Sequence, residues 1–403
     1  MRTGFFNFLP QSTPQAPKTI AVGMSGGVDS SVAALLLKEQ GHRVIGLFMK
    51  NWEEKDENGQ CTSVKDYEDV ARVCERLDIP YYSVEFVKEY WDQVFTKFLR
   101  DYQAGITPNP DILCNREIKF NHFLKHARSL GADYLATGHY CQNFLTPGTD
   151  GQSHHVLGRA VDQGKDQTYF VYTLTEKILS QVVFPIGHLQ KSEVREIAKK
   201  HGLKTYDKKD STGICFIGER NFRPFLSSYL KPIRGEIRPL DETPVGAHNG
   251  AHLFTLGQRQ GLGLGGAGEP WFVVKKDIGK NVLYVERGLE HPALYASELW
   301  ADELSWVGTL PISNSPTPVP FACTAKTRYR QTDTPCEIIF TQDHSRVLVR
   351  FTEPQRAMTP GQAVVFYSGD LCIGGGRIAE VGESVYEKTK RATPKSAEAT
   401  LRN

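Results

Sequence analysis

A glycine- and serine-rich octapeptide is the strongest chemical signal in the 403-residue sequence. It lies between an apolar run and a good helix former, and it consists of Gly23, Met24, Ser25, Gly26, Gly27, Val28, Asp29 and Ser30. Adjacent glycines let a backbone approach an anion closely, and the positive end of the following helix favours a phosphate. The Lys of a Walker A loop and the G-x-G-x-x-G dinucleotide spacing are both missing. The octapeptide therefore predicts phosphate binding of another kind, against the alternative of an ordinary glycine turn with a helix cap.

Two of the eight cysteines occupy positions that suit reactive thiols. Cys114 is placed in a Pro-rich loop before a predicted helix, where the helix N-terminus favours a thiolate, and Cys215 follows Thr-Gly in another loop. They are far apart in sequence, so only the fold can bring them together. A buried, unreactive thiol is the commoner case for any one cysteine. That interpretation is kept for the remaining six, which are Cys61, Cys74, Cys141, Cys323, Cys336 and Cys372.

Strands and helices alternate from residue 18 onward, and this alternation positions the octapeptide. Apolar runs predict strands at 19–24, 43–49, 81–87 and 134–137, and helical spacing predicts helices over 65–77, 90–102 and 117–130. Such alternation is typical of a doubly wound parallel sheet. Phosphate-binding residues that follow a strand then lie at the carboxyl edge of the sheet, where open α/β sheets bind ligands.

The pattern changes after residue 217. A short helix is predicted at 222–229, followed by short strands separated by Pro- and Gly-rich turns, which is typical of a small linking domain and a β-barrel. The predicted organisation is a flexible leader (1–17), a catalytic α/β domain (18–217), a linking domain (218–288), a C-terminal β-barrel (289–385) and a fraying tail (386–403).

Composition excludes some classes of protein. The formal net charge is only +2, so the chain as a whole is not a strongly basic nucleic-acid binder. The charge is nevertheless unevenly distributed. Acidic side chains outnumber basic ones in residues 50–92, and basic side chains outnumber acidic ones in residues 187–238. The sparse cysteines form no disulfide framework and no zinc-ligand spacing, so no metal ligands are predicted. Since no signal peptide or membrane span is recognisable, a cytoplasmic location is expected.

Several motifs together resemble one enzyme family. SGGVDS is similar to the pyrophosphate-binding loop (PP-loop) of the ATP pyrophosphatases, and the other motifs resemble the tRNA-specific 2-thiouridylases of that superfamily. They include TPNPDILCN at 107–115, ATGHY at 136–140, KDQTYF at 165–170, DSTGICFIG at 210–218 and KTRYR at 326–330. The resemblance extends from about residue 18 to residue 383. It implies an adenine nucleotide alpha hydrolase-like sheet, a small linking domain and a C-terminal β-barrel.

The resemblance also implies a sulfurtransferase reaction and its residues. ATP with Mg²⁺ would adenylate the C2 oxygen of the wobble uridine in Lys, Glu and Gln tRNAs, and sulfur would then replace that oxygen. Residues 23–30 would hold the phosphates, while Met49 and Gly138 would contact the nucleotide. Cys215 would receive a persulfide from a cysteine desulfurase or a sulfur-relay carrier. Cys114 would attack that persulfide or act directly as the nucleophile, and either route leaves a Cys114–Cys215 disulfide to be reduced.

Residues that would contact tRNA follow from the same resemblance, and they are Asn109, Pro110, Asp111, Lys165, Asp166, Gln167, Arg328 and Tyr329. Asp111 would also help to move protons near the base, and Arg328 with Tyr329 would offer a cation and a stacking ring to an extruded base. Two alternatives stay open at this point. The chain could be another PP-loop enzyme that activates a different RNA base or a small molecule, or a non-catalytic, nucleotide-dependent RNA-binding protein.

Overall fold

The computed structural model describes residues 16–52, 62–148, 151–210, 222–241, 243–308 and 319–392. Its strands are β1 (Thr19–Met24), β2 (Arg43–Lys50), β3 (Tyr81–Glu85), β4 (Tyr134–Thr137), β5 (Cys141–Pro147), β6 (Ser153–Arg159), β7 (Val182–Val183), β8 (Gly235–Arg238), β9 (Gly246–His248), β10 (Trp271–Asp277), β11 (Val282–Arg287), β12 (Tyr295–Trp306), β13 (Phe321–Lys326), β14 (Thr334–Phe340), β15 (Val347–Arg356), β16 (Ala363–Ser368) and β17 (Leu371–Val381). The leader up to residue 15, Cys61 and Cys215 lie outside the described residues.

The α-helices in the same ranges are α1 (Val28–Glu39), α2 (Thr62–Leu77), α3 (Val87–Tyr90), α4 (Thr96–Gln103), α5 (Pro110–Leu113), α6 (Leu124–Ser129), α7 (Thr168–Val171), α8 (Glu176–Leu179), α9 (Lys191–Lys200), α10 (Phe222–Tyr229) and α11 (Val385–Ala392). Two π-helical segments, Trp91–Phe95 and Cys114–Phe123, join α3 to α4 and α5 to α6. None of the helices in the described part of the chain is long and apolar enough to span a bilayer.

The N-terminal sheet is parallel and doubly wound, as the alternation of strands and helices predicts. Its strand order is β3-β2-β1-β4-β7, and every pairing within it is parallel. Successive residues of β1 alternate between two cores, with Ala21 in one and Ile20 and Val22 in the other. Because helices cover both faces, the strands are apolar throughout. The carboxyl ends of β1 and β4 therefore open at one edge, where the glycine-rich loop lies.

The C-terminal region is a closed antiparallel barrel of six strands, in the order β12-β15-β14-β13-β16-β17 with β12 pairing back to β17. Closure satisfies edge strands that would otherwise expose unpaired backbone groups. The hairpin β5–β6, which belongs in sequence to the N-terminal region, extends this sheet. Leu371 and Cys372 pair with Gly158 and Leu157. A continuous sheet thus joins the catalytic region to the barrel.

A four-stranded sheet between these two units, in the order β10-β11-β8-β9, forms the linking region. Part of the predicted tail packs beside it. Residues 386–392 were expected to fray, but they lie in α11, where the Tyr386 hydroxyl and the Lys390 ammonium both contact the Asp241 carboxylate. Lys275 of β10 lies 3.9 Å from Glu387 on the same helix. These polar contacts order the first part of the tail, which its polar composition alone did not indicate.

Lys276 of β10 connects the linking region to the catalytic region. Its ammonium donates to the carbonyl oxygens of Gly105, at 2.5 Å, and Phe254, at 2.8 Å. Among the described residues no carboxylate compensates for its burial, and burial lowers the pKa of Lys276 to about 8 from the ordinary value of 10.5. The contact precedes the 107–115 motif by two residues, so it fixes where that motif begins.

The lowered pKa of Lys276 predicts a pH dependence of stability. The unfolded chain binds a proton between about pH 8 and pH 10.5 that the folded chain does not bind, so the free energy of unfolding rises with pH across that window. We expect the free energy of unfolding of the wild type, minus that of Lys276→Met, to be about 1–2 kcal/mol larger near pH 10 than near pH 7.5. Urea unfolding at the two pH values measures this difference. A difference that stays constant between the two pH values would contradict the assignment.

Candidate active site

The glycine-rich loop between β1 and α1 forms an anion-binding cradle. Gly26 has φ +73°, and a Cβ there would lie 2.7 Å from the carbonyl oxygen of Asp66, so only glycine fits. The Ser30 hydroxyl accepts from the Ser25 amide and donates to the carbonyl of Gly27. No side chain caps α1 at Gly27. The first-turn amides and the positive end of the helix are therefore available to a phosphate.

Lys191 and Lys208 converge on this loop, and the sequence analysis did not single them out. The Lys191 ammonium lies 2.8 Å from both carboxylate oxygens of Asp29, and Tyr140 donates to the same carboxylate at 2.9 Å. The Lys208 ammonium donates to the carbonyl of Gly26 at 3.1 Å. The basic character of residues 187–238 was the available signal, but sequence alone does not show which of its cations fold back onto the loop.

Asp210 neutralises part of this positive charge. Its carboxylate lies 2.6 Å from Lys165, 2.8 Å from Lys191 and 3.2 Å from Arg195. Burial raises the pKa of Asp210, but the hydrogen bonds from Lys165 and Lys191 outweigh burial and lower the pKa to about 2. Asp210 therefore stays ionised at neutral pH. Its carboxylate occupies a position beside the loop that suits an anion.

The edge of the sheet beside the loop fits a nucleotide base. Gly138 packs against the start of α1, because a Cβ there would lie 2.8 Å from the amide nitrogen of Ser30. Met49, the last residue but one of β2, has 8% of its surface exposed. Asn51 is 1% exposed, and within the described residues neither its amide nitrogen nor its amide oxygen has a hydrogen-bond partner. A buried amide whose donor and acceptor are both unused can form hydrogen bonds with the edge of a nucleotide base.

Cys114 lies in a helix and not in a loop, so that expectation is wrong. The helix begins at Pro110 with Asn109 as its cap, and the Asn109 side chain accepts from the amide of Ile112. Cys114 comes after the first turn, where the helix end has lost most of its influence on a thiolate. The cysteine is 0% exposed within the main hydrophobic cluster. Asp111, half-buried, lies in the first turn.

A chain of hydrogen bonds connects the glycine-rich loop to the Cys114 helix. Tyr140, which donates to Asp29, exchanges two hydrogen bonds with Gln167: the Tyr140 amide donates to the Gln167 side chain at 2.9 Å, and the Gln167 amide donates back to the Tyr140 carbonyl at 2.8 Å. Gln167 caps α7, and the carbonyl of Phe170 accepts from Asn115 at 2.9 Å. The structure thus brings together four motifs that are well separated in sequence.

Some of the residues predicted to contact tRNA are accessible in the structure, and others are buried. The Lys165 side chain pairs with Asp210 and is half-buried, so it lies within reach of a ligand beside the loop. Asp166, in contrast, is 5% exposed, and its carboxylate accepts from the Ala160 amide and the Thr168 hydroxyl. Contact between Asp166 and RNA would break these bonds, so the geometry favours a structural role for this residue.

Arg328 and Tyr329 were expected to offer an exposed cation and an exposed ring to an extruded base, but the structure uses both side chains for contacts within the chain. The Arg328 guanidinium donates to the carbonyl oxygens of Leu256 and Ala357 at 2.8 Å each, which ties the barrel to the linking region. Tyr329 is half-buried, and its ring lies 4.4 Å from that of Phe170. Both residues therefore pack at the junction of the three units, and stacking on RNA remains a prediction for Tyr329.

Comparison with known proteins decides the family. Family models match three consecutive segments, namely a tRNA methyl transferase HUP domain at residues 18–219, a tRNA methyl transferase PRC-barrel domain at 223–287 and an aminomethyltransferase β-barrel domain at 296–378. The tRNA-specific 2-thiouridylase MnmA of Protochlamydia amoebophila is 57% identical over 93% of this chain and 96% of its own length. That of Halalkalibacterium halodurans is 58% identical over 90% and 95%. The chain belongs to the tRNA-specific 2-thiouridylase family.

Family membership confirms the resemblance based on the sequence motifs. The word methyltransferase in the names of the family models is not matched by the full-length relatives, which are 2-thiouridylases. The three matched segments follow the same order as the doubly wound sheet, the linking sheet and the barrel. The individual roles of the site residues and the exact domain limits stay predictions.

Proposed function

We propose that this chain is a tRNA 2-thiouridylase that activates the C2 oxygen of the wobble uridine with ATP and replaces it with sulfur. The observation that carries the proposal is the 57% identity to a 2-thiouridylase along nearly the whole of both chains. The arrangement of the site supports it, because an anion-binding loop and a cysteine-bearing helix are joined through Tyr140 and Gln167. An uncharged carbonyl oxygen is a poor leaving group, and adenylation makes it a good one.

The phosphates of ATP fit the glycine-rich loop. Its uncapped α1 amides and the Lys191 ammonium group supply donors and positive charge, and Lys208 adds a cation that is paired with Asp66 and Asp69. Asn51 with Met49 lies where the base would be held. In the described ranges no three Asp, Glu, His or Cys side chains form a metal site. Mg²⁺ commonly binds through one or two carboxylates together with substrate phosphates, so Asp29 is the residue that would hold it.

In adenylation, these residues would hold the phosphates of ATP in place for attack by the uridine. Attack of the uridine C2 oxygen on the α-phosphorus forms an O–P bond and releases pyrophosphate. Lys191 faces the loop and would stabilise the negative charge that develops on that leaving group. Its present partners, Asp29 and Asp210, keep the ammonium in place, and the phosphates would compete with these carboxylates for it.

Sulfur transfer rests on the two cysteines, of which Cys215 lies outside the described residues. A sulfur-donating protein, either a cysteine desulfurase or a sulfur carrier, leaves a persulfide on Cys215. The Cys114 thiolate attacks the inner sulfur, which forms the Cys114–Cys215 disulfide and releases hydrosulfide. Hydrosulfide then adds to C2 and displaces AMP, which takes the former C2 oxygen with it. A thiol reductant restores both cysteines.

The reaction is tested on purified protein with unmodified tRNA, ATP, Mg²⁺ and a cysteine desulfurase that is supplied with cysteine as the source of persulfide. We expect pyrophosphate release that depends on tRNA, and mass spectrometry of the digested tRNA should show sulfur in place of oxygen at the wobble uridine. Lys191→Met should slow tRNA-dependent pyrophosphate release by at least about 100-fold, which is typical of losing one transition-state charge contact. Lys199→Met, on the exposed face of the same helix, is the matched control.

The same measurements separate the alternatives. Pyrophosphate release without a change in the mass of the tRNA would indicate a PP-loop enzyme that activates another molecule. Binding of tRNA with neither pyrophosphate release nor a mass change would indicate a non-catalytic RNA-binding protein. Either result would overturn the proposed function.

A further inference from the structure

Two cysteines of the barrel face each other across neighbouring strands. Cys323 of β13 and Cys336 of β14 are directly opposite in the antiparallel register, and their sulfur atoms lie 3.6 Å apart. Directly opposed residues of an antiparallel pair have Cα atoms about 4.5–5.5 Å apart, which lies within the range of about 4.4–6.8 Å that a disulfide spans. The backbone therefore places these thiols where they can be joined without moving either strand.

The two thiols differ in accessibility. Cys323 is half-buried, whereas Cys336 is 3% exposed within the barrel core. A small oxidant can therefore reach Cys323 first, and Cys336 is the neighbour that would complete the reaction. The hydrogen bond with Cys336 and burial both raise the pKa of the Cys323 thiol, so thiolate is scarce and exchange is slow.

The pair lies in the hairpin β13–β14, whose turn contacts other parts of the chain. The turn between β13 and β14 holds Arg328, which contacts the linking region, and Asp333, which lies 3.2 Å from the buried guanidinium of Arg159. A covalent link between Cys323 and Cys336 would close that turn into a loop and limit its motion. The oxidation state of the pair therefore bears on how firmly the three units are held together.

We propose that Cys323 and Cys336 form an oxidisable dithiol, which a low-molecular-weight disulfide such as glutathione disulfide converts into a cross-strand disulfide. The Cys323 thiolate attacks one sulfur of glutathione disulfide, which forms a mixed disulfide and releases one glutathione thiolate. Cys336 then loses its proton and attacks the Cys323 sulfur, which forms the protein disulfide and releases the second glutathione. Both protein thiols are oxidised and one glutathione disulfide is reduced to two glutathione molecules. This step is separate from the Cys114–Cys215 exchange of the proposed function.

Peptide mapping tests the proposal on the full-length protein. Three basic residues between the cysteines, Lys326, Arg328 and Arg330, let trypsin separate them, so only a disulfide keeps the two peptides joined. After hours with excess glutathione disulfide and alkylation of the remaining thiols, we expect the joined peptides to replace the separate alkylated ones. Dithiothreitol should restore the separate peptides.

Single substitutions check the order of events. Cys336→Ser should accumulate glutathione on Cys323, because the second thiol is missing, whereas Cys323→Ser should leave Cys336 largely unmodified. Wild-type protein that carries a stable glutathione on Cys323, or that keeps both thiols alkylatable after the treatment, would overturn the proposal. These outcomes are independent of tRNA thiolation, so failure of one proposal leaves the other intact.

Discussion

Replacing Cys114 by Ser is expected to abolish tRNA thiolation while tRNA-dependent pyrophosphate release continues. A hydroxyl of the same shape cannot displace sulfur from a persulfide, but adenylation requires only the nucleotide site and the RNA. Thiolation should fall by at least about 1,000-fold, as expected when a nucleophile is removed. Mass spectrometry of the tRNA and a pyrophosphate assay on the same samples measure the two steps separately. The same substitution at Cys215 should give the same split.

Cys74→Ser is the matched control for this experiment. Cys74 is also 0% exposed, and burial raises the pKa of its thiol to about 12, so it stays protonated and has no part in sulfur transfer. The control should keep thiolation and lose only stability. Full thiolation by Cys114→Ser would remove Cys114 from the mechanism, and loss of pyrophosphate release together with thiolation would indicate damage to the fold.

The burial of Cys114 predicts a local rearrangement around its thiol during the reaction. The thiol is enclosed by the hydrophobic cluster, whereas its reaction partner in the proposed function is a persulfide that another protein leaves on Cys215. The segment that carries it, Cys114–Phe123, is π-helical and has non-helical torsion angles at Phe120. Such irregular turns occur frequently at functional sites, and they cost regular hydrogen bonding. This helix is therefore a natural place for a rearrangement when tRNA binds.

Local patterns were sufficient to predict four of the five strands of the parallel sheet and the glycine-rich loop, whereas the two-residue strand β7 was missed. β1 and the loop follow from an apolar run and adjacent glycines, which depend only on neighbouring residues. The start of the Cys114 helix was misplaced because the prolines around Asn109 were interpreted as loop, although Asn followed by Pro is also a common way to begin a helix. Local sequence therefore allowed both interpretations, and only the cap geometry decides between them.

Long-range contacts were beyond prediction from the sequence. Lys191 and Asp29 lie on different helices, and nothing in either local pattern announces their pairing. The hairpin β5–β6 was not predicted, and it pairs with Leu371 and Cys372 of β17, which lie beyond the pairing of β17 with β12. Asp166 shows the consequence for function: the motif around it resembles an RNA-contacting loop, but its carboxylate is used inside the chain.

Arg159→Met is expected to cause the largest loss of stability. Arg159 is 5% exposed, and its guanidinium lies 3.2 Å from Asp333, 3.8 Å from Asp166 and 3.7 Å from the centre of the Tyr367 ring. These partners come from the hairpin turn, the α7 loop and the barrel. Removal of the cation deprives Asp166 and Asp333 of their nearest countercharge and leaves them the more distant Lys326, which costs about 3–5 kcal/mol.

Arg350→Met is the control for this substitution, because Arg350 forms an exposed ion pair with Glu298 at 2.9 Å in the same barrel. An exposed pair contributes only about 0–1 kcal/mol, so its loss should barely shift the urea midpoint followed by intrinsic fluorescence. Asp333→Asn in the Arg159→Met background should recover part of the lost stability, since it removes one unpaired charge. Equal midpoints for the two Arg variants would mean that the buried network does not hold the barrel to the catalytic region.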